Sequence, residues 1–268
     1  MSLRIQTNIA AFDAERNLNL TSQRLQTSMA RLSSGYRINS AADDAAGLAI
    51  SEKLNAQIGG LKQANSNAQD GISLVQTAEG SLNEVHSMLQ RVRELAVEYQ
   101  NGTLSTDDRT AIQSEVNQLG SEIERIGNSA AFNGISLLAQ AGTITFQVGA
   151  NDGDTISVST ISLGQSVGSS VFLLSTSSSS DISEIDAAID SVSAQRADFG
   201  AVQNRLEHTI NNLSTYQENL TASESQIKDV DMASEMVEFT KDQILQQAGT
   251  SMLSQANQLP NSVLSLLR

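Results

Sequence analysis

The stretch Leu82-Asn83-Glu84-Val85-His86-Ser87-Met88-Leu89-Gln90-Arg91-Val92-Arg93-Glu94-Leu95-Ala96-Val97-Glu98-Tyr99 places Leu82, Val85, Leu89, Val92, Ala96 and Tyr99 in alternating steps of three and four. That spacing lines all six along one face of an α-helix, whereas a strand would split them between two faces. Upstream the seam continues through Leu54, Ile58, Leu61, Ala68, Ile72 and Val75, back to Asp43 and Asp44, acids that suit a helix N-terminus. A single helix about 85 Å long is predicted. Asn101-Gly102 punctuates its end, and Ser105 with Asp108 forms a capping-box pattern for the next helix. That helix carries Ile112, Val116, Leu119, Ile123 and Ile126, and matching periods across a short connection predict antiparallel packing.

Farther along, the period changes. Ile144, Phe146 and Val148 alternate, a turn-rich run from Gly149 to Asp154 follows, and Ile156 and Val158 alternate again, which predicts a β-hairpin. From Ser162 to Ser180 the composition is mostly Ser, Gly, Leu and Val without a clear period, and it is read as a surface loop with room for one short strand. A third helical seam begins near Ile182 and runs through Ile185, Ile189, Val192, Phe199, Leu206, Ile210, Leu213, Leu220 and Ile227.

The two ends carry apolar stripes as well. At the C-terminus Leu245, Met252, Leu259 and Leu266 recur every seven residues, with Gly249, Ala256 and Val263 at the intervening steps. At the N-terminus Ile5, Ile9 and Phe12, then Leu18, Leu25, Met29 and Leu32, make a less regular stripe. Chain ends ordinarily fray. Seams there ask for a partner, either the opposite terminus or another copy of the chain, and a chain that runs up and back brings its ends together.

Composition narrows the class. With no Trp, one Pro and 3% aromatics, the 268 residues suit long paired helices better than a thick core. The lack of Cys excludes disulfides and thiolate chemistry. Arg4 and Arg16 interrupt any signal-peptide pattern and there is no 18-residue apolar run, so no membrane insertion is expected and secretion would need another route. The first 42 residues are basic, with five Arg against Asp13 and Glu15, while the net charge of -14 is concentrated in the middle of the chain. That acidic middle disfavours nucleic acid as a partner.

His86 and His208 lie in no metal-binding spacing, Asp43-Asp44 read as a helix start, and Asn151-Asp152-Gly153-Asp154 lacks the downstream Glu of a calcium loop. With no phosphate loop and no Ser-His-Asp set, neither an enzyme nor a cofactor is expected.

Several blocks resemble bacterial flagellins. They are Leu32-Ser33-Ser34-Gly35-Tyr36-Arg37-Ile38-Asn39 continuing through Asp43-Asp44-Ala45-Ala46-Gly47-Leu48-Ala49-Ile50-Ser51; Leu89-Gln90-Arg91-Val92-Arg93-Glu94-Leu95-Ala96; Phe132-Asn133-Gly134; Asn204-Arg205-Leu206-Glu207-His208-Thr209-Ile210; and the tail from Ile227-Lys228-Asp229-Val230-Asp231-Met232 through Gln255-Ala256-Asn257 to Leu266-Leu267. The resemblance implies a mainly α fold: a long antiparallel bundle built from both flanks, with a small β-hairpin in the middle. It divides the chain into 1–42 and 226–268 as the two parts of an inner polymerisation domain, 43–130 and 182–225 as rod helices, and 131–181 as hairpin and variable loop. The outer domains of large flagellins are expected to be absent.

The same resemblance implies a structural subunit, exported unfolded by the flagellar type III route without a cleaved signal peptide, that polymerises with itself into the extracellular filament used for swimming. An export chaperone, the filament cap and hook-junction proteins are the further partners it implies. Its terminal segments are similar to those that stay disordered until assembly, and the polymerisation seam is then Ile5, Ile9, Phe12, Leu18, Leu25, Leu245, Met252, Leu259, Val263 and Leu266. A surface for Toll-like receptor 5 is implied at Gln90, Arg91, Leu95 and Glu115. Two alternatives remain open at this point: a hook-filament junction protein of the same superfamily, and a secreted host-signalling ligand without a filament role. The Ser-rich run Ser175 to Ser180 is a candidate O-glycosylation tract, read more simply as a flexible loop.

Overall fold

Both flanks are helical, as the three-four spacing predicts. The computed structural model describes residues 8–167, 172–174 and 181–266, the side chains of 165–166 and 259–266 excepted, so the Ser175 to Ser180 tract lies outside the described residues. In chain order it places α1 at Ile9–Ser34, α2 at Ala45–Tyr99, α3 at Thr106–Ser129, β1 at Ala131–Phe132 and β2 at Ile135–Ser136. Then come β3 at Gly142–Gln147, β4 at Thr155–Thr160, the one-turn α4 at Leu163–Ser166, α5 at Asp181–Lys228 and α6 at Met232–Leu266. The chain divides into two units, Met1–Ala56 with Asn219–Arg268, and Gln57–Glu218.

Within Gln57–Glu218 the seam of α2 is continuous. Leu61, Ala64, Ala68, Gly71, Val75, Ala78, Leu82, Val85, Leu89, Val92 and Ala96 are all buried, each three or four residues from the last. Facing them, α5 buries Ile185, Ala188, Val192, Gln195, Phe199, Val202 and Leu206. The pairing is antiparallel, because contacts that climb one helix descend the other: Arg93 to Asp186 at 2.6 Å, Glu79 to Arg196 at 3.4 Å, Asn65 to Ser214 at 3.5 Å. Helix α3 also runs antiparallel to α2, as expected, with Glu115 against Arg91 at 2.9 Å and Arg109 over the Tyr99 ring at 5.9 Å. Its first turn is held by the capping box that the sequence shows, Ser105 Oγ accepting from the Asp108 amide and the Asp108 carboxylate accepting from the Ser105 amide. Those Ser105 hydrogen bonds, the hydroxyl's foremost, hold the Asp108 carboxyl below its ordinary range.

The predicted hairpin is β3–β4, with Ile144 opposite Val158 and Phe146 opposite Ile156. Its inner face closes onto the bundle where α2 carries Gly71: a Cβ there would lie 3.3 Å from both the Phe146 ring and Leu206. Gln195, the one buried polar side chain of the α5 seam, donates from Nε2 to the Ser159 carbonyl of β4 at 2.8 Å. That bond satisfies a group whose burial would otherwise cost stability.

Two features depart from the expectation. The start of the Ser162–Ser180 segment is not a surface loop: Leu163 and Val167, four residues apart, form a single helical turn that buries both, and Leu174 is buried too. One turn is too short to show as a period. The β1–β2 hairpin is the second, turned by Asn133 (φ 49°) and Gly134 (φ 79°), the left-handed pair that a two-residue hairpin turn needs.

In the other unit, the segment after α1 clasps the connection between α5 and α6. Arg37 N–H donates to the Lys228 carbonyl at 2.7 Å, and Val230 N–H donates to Gly35 at 3.0 Å. Lys228 sits 5.0 Å over the Tyr36 ring, and Ile38 is buried beneath the clasp. Asp44 then caps α2, its carboxylate accepting from the Gly47 amide at 2.9 Å. Asp43 sits in the preceding turn, where the Ser40 amide and hydroxyl and the Asn39 amide hold its carboxyl below the usual range.

Candidate assembly interface

The terminal seams meet as α1 paired antiparallel with α6. Asn8 Nδ2 donates to the Ala256 carbonyl at 2.8 Å, Leu18 lies beside Gly249, and Arg31 reaches Glu235 at 3.8 Å. The opposite terminus is thus the first partner, as the sequence suggests.

The face used mixes a few large apolar side chains with small and polar ones. On α1 the covered positions are Ala11, Ala14, Leu18, Thr21, Leu25, Ser28 and Leu32; on α6 they are Glu235, Phe239, Asp242, Gln246, Gly249, Leu253 and Ala256. Both sets keep the three-four spacing, yet most members are small or polar, which lets the backbones approach. At Gly249 a Cβ would stand 3.3 Å from the Leu18 side chain. The C-terminal stripe read as one seam is therefore split. Gly249 and Ala256 face α1, while Leu245 and Met252 are exposed.

What remains open is strongly apolar. Ile9, Phe12, Leu20 and Met29 of α1 stand in solvent, as do Met232, Met236, Val237, Ile244, Leu245 and Met252 of α6. So many large apolar side chains left exposed on two paired helices mark an interaction surface. Of the seam residues named from sequence, Ile9, Phe12, Leu245 and Met252 belong to this open surface, and Leu18 and Leu25 are half-buried between α1 and α6. Ile5 lies outside the described residues, as do the side chains of Leu259, Val263 and Leu266.

The second candidate patch sits on the bundle. Gln90, Arg91 and Glu115 are exposed. Arg91 Nε and Nη2 both donate to one Glu115 carboxylate oxygen, at 3.0 and 2.9 Å, and Nη1 donates to Glu94 at 3.3 Å. The Glu115 bonds, then that of Glu94, bind the guanidinium proton more tightly than usual. Leu95 does not share this surface. At 2% exposure it is part of the core, because it falls one residue before Ala96 on the buried side of α2, so it supports the patch from beneath and cannot touch a ligand there.

Neither histidine builds a site: His86 is half-buried with Nε2 2.9 Å from Gln90, and His208 is exposed. Among the described residues no cluster of His, Asp or Glu could hold a metal, and no helix is long and apolar enough to cross a membrane.

Comparison with known proteins accounts for this architecture. Residues 5–143 match the family model of the bacterial flagellin N-terminal helical region, and residues 182–267 that of the C-terminal helical region. The chain is 51% identical to a flagellin of Halalkalibacterium halodurans over 98% of this chain and 99% of the relative. With a flagellin of Bacillus subtilis the identity is 47%, over 99% of this chain and 100% of the relative. Among solved structures, Bacillus cereus flagellin superposes with a TM-score of 0.50 at 30% identity, covering 59% of this chain and 94% of that one. Flagellins are structural proteins that polymerise with themselves into the extracellular flagellar filament. The chain belongs to the bacterial flagellin family.

Proposed function

We propose that the open apolar faces of α1 and α6 are the polymerisation surface, and that neighbouring subunits, more than the chain's own fold, hold these helices in place. One observation carries this reading: the apolar core lies within Gln57–Glu218, and in the terminal unit Ile38 and Ala256 are the only buried hydrophobic residues among those described. Ordering a residue costs roughly 1–2 kcal/mol. Two helices with so little burial of their own cannot offset that cost alone, whereas each Leu, Met or Phe covered by a neighbour contributes about 1.5–3 kcal/mol. The filament built this way serves swimming, and the subunit reaches its growing end through the flagellar type III route, with the export chaperone, filament cap and hook-junction proteins as further partners. The domain scheme follows, with 1–42 and 226–268 as the inner polymerisation domain and 43–130 with 182–225 as the rod. Deleting residues 251–268 tests it. The truncated chain is expected to keep the melting transition of the bundle and to form no filaments on seeds; filaments from it would overturn the reading.

A second role has its own supporting observation, the exposed Gln90, Arg91 and Glu115 on adjoining helices. These three form a recognition patch for Toll-like receptor 5, with the Arg91 guanidinium held in place by Glu115 and Glu94. Replacing Arg91 with alanine in the monomer is expected to reduce receptor reporter signal about tenfold or more. An unchanged response would remove Arg91 from the patch.

A further inference from the structure

The methionines of this chain are unevenly placed. Met29, Met232, Met236 and Met252 are 52%, 48%, 47% and 67% exposed, and all four belong to α1 or α6. Met88, in the bundle, is instead half-buried against the core. The sequence has six methionines, so most of them sit on the open apolar surface. We propose that the thioethers of Met29, Met232, Met236 and Met252 are a modification site for peroxide-class oxidants, and that their conversion to sulfoxide blocks the free subunit from assembling. This rests on the reading of α1 and α6 as the polymerisation surface.

The chemistry needs no cofactor. A thioether sulfur attacks one oxygen of hydrogen peroxide; an S–O bond forms, the O–O bond breaks, and water leaves. Sulfur loses two electrons and the peroxide gains them. A flexible apolar side chain becomes a polar one carrying a strong acceptor. On a solvent-facing helix this change is tolerated, because water satisfies the new oxygen. Against an apolar neighbour it is not, because the oxygen is buried without a donor. The other large residues of the surface, Ile9, Phe12, Leu20, Val237, Ile244 and Leu245, cannot undergo this change. Within an assembled filament the same sulfurs are covered, so the sensitivity belongs to the free subunit.

The test uses the full-length monomer treated with hydrogen peroxide, peptide mass spectrometry, and elongation from sonicated seeds. Oxygen is expected on the four methionines well before Met88, with elongation slowed about tenfold or more. Methionine sulfoxide reductases acting on both epimers should restore the rate. A variant with all four replaced by leucine retains Met1 and Met88 and should elongate equally with and without peroxide. If that variant assembles poorly, reductase rescue of the wild type decides. Unchanged elongation of oxidised wild type, failure of the reductases to rescue it, or equal inhibition of the leucine variant would overturn the proposal. Failure of the underlying reading is separately visible: reduced protein with Leu245 and Met252 changed to aspartate would then still elongate.

Discussion

Replacing Leu245 and Met252 together with aspartate is expected to abolish filament growth at subunit concentrations where the wild type assembles. The two side chains lie seven residues apart on α6, exposed beside the strip where Gly249 and Ala256 face α1. At 44% and 67% exposure, the two side chains leave apolar surface open that the monomer does not cover. If a neighbour covers both, the loss is about 3–6 kcal/mol from apolar burial alone, before the cost of burying two carboxylates. That converts to a critical concentration at least about 100-fold higher. Sedimentation of seeded reactions measures it directly. The melting transition of the bundle should not move, since exposed substitutions usually stay within about 0.5 kcal/mol. Wild-type elongation by the double variant would mean that the open face of α6 faces water in the filament too.

Phe199→Ala is expected to have the opposite profile, a large loss of bundle stability with the terminal surface intact. The ring is fully buried at the centre of the α5 seam, flanked by Gln195 and Val202 one step to either side. Truncation leaves a cavity among helices that cannot collapse freely, costing about 3–5 kcal/mol. A domain of this size has only about 5–15 kcal/mol to lose. Circular dichroism on heating should show the main transition lowered by roughly 6–20 °C. A shift below about 2 °C would place Phe199 outside the cooperative core.

These two substitutions fall on opposite sides of what the amino-acid order makes legible. Leu82, Val85, Leu89, Val92 and Ala96 are buried where their spacing puts them, because a seam sustained from Leu54 to Tyr99 leaves one geometric solution. Ala64, Gly71 and Ala78 occupy the same seam, yet carry too little apolar volume to register in it. Gly71 is explained only by Phe146 and Leu206, partners far along the chain. Gln195 was equally hidden, since its partner is a backbone carbonyl in a hairpin. At the C-terminus, spacing alone groups Leu245, Gly249, Met252 and Ala256 into one stripe. Which half faces α1 depends on how closely two backbones can approach, and that is set by small residues on both helices. Leu95 illustrates the same limit, because one residue of rotation separates the exposed Glu94 from the core. The Asn133-Gly134 turn, by contrast, is legible in its residues, since an Asn-Gly pair suits the two left-handed positions of a tight hairpin.

The split stripe also bears on how order is divided between subunit and filament. A monomer that buried Leu245, Met252, Ile9 and Phe12 internally would have stable ends and nothing to offer a neighbour. Pairing α1 and α6 through a face where Leu18, Leu25, Leu32, Phe239 and Leu253 alternate with small and polar residues keeps Ile9, Phe12, Leu245 and Met252 available, at the cost of a terminal unit with almost no apolar core. On the proposed reading, polymerisation and ordering are one event.

Amide hydrogen exchange, followed peptide by peptide in dilute monomer and in assembled filament, tests this most directly. The account predicts fast exchange across Ile9–Ser34 and Met232–Leu266 in the monomer, slow exchange across the bundle helices in both states, and protection of the terminal helices rising about 100-fold or more in the filament. Terminal helices already as protected in the dilute monomer as in the filament would contradict it.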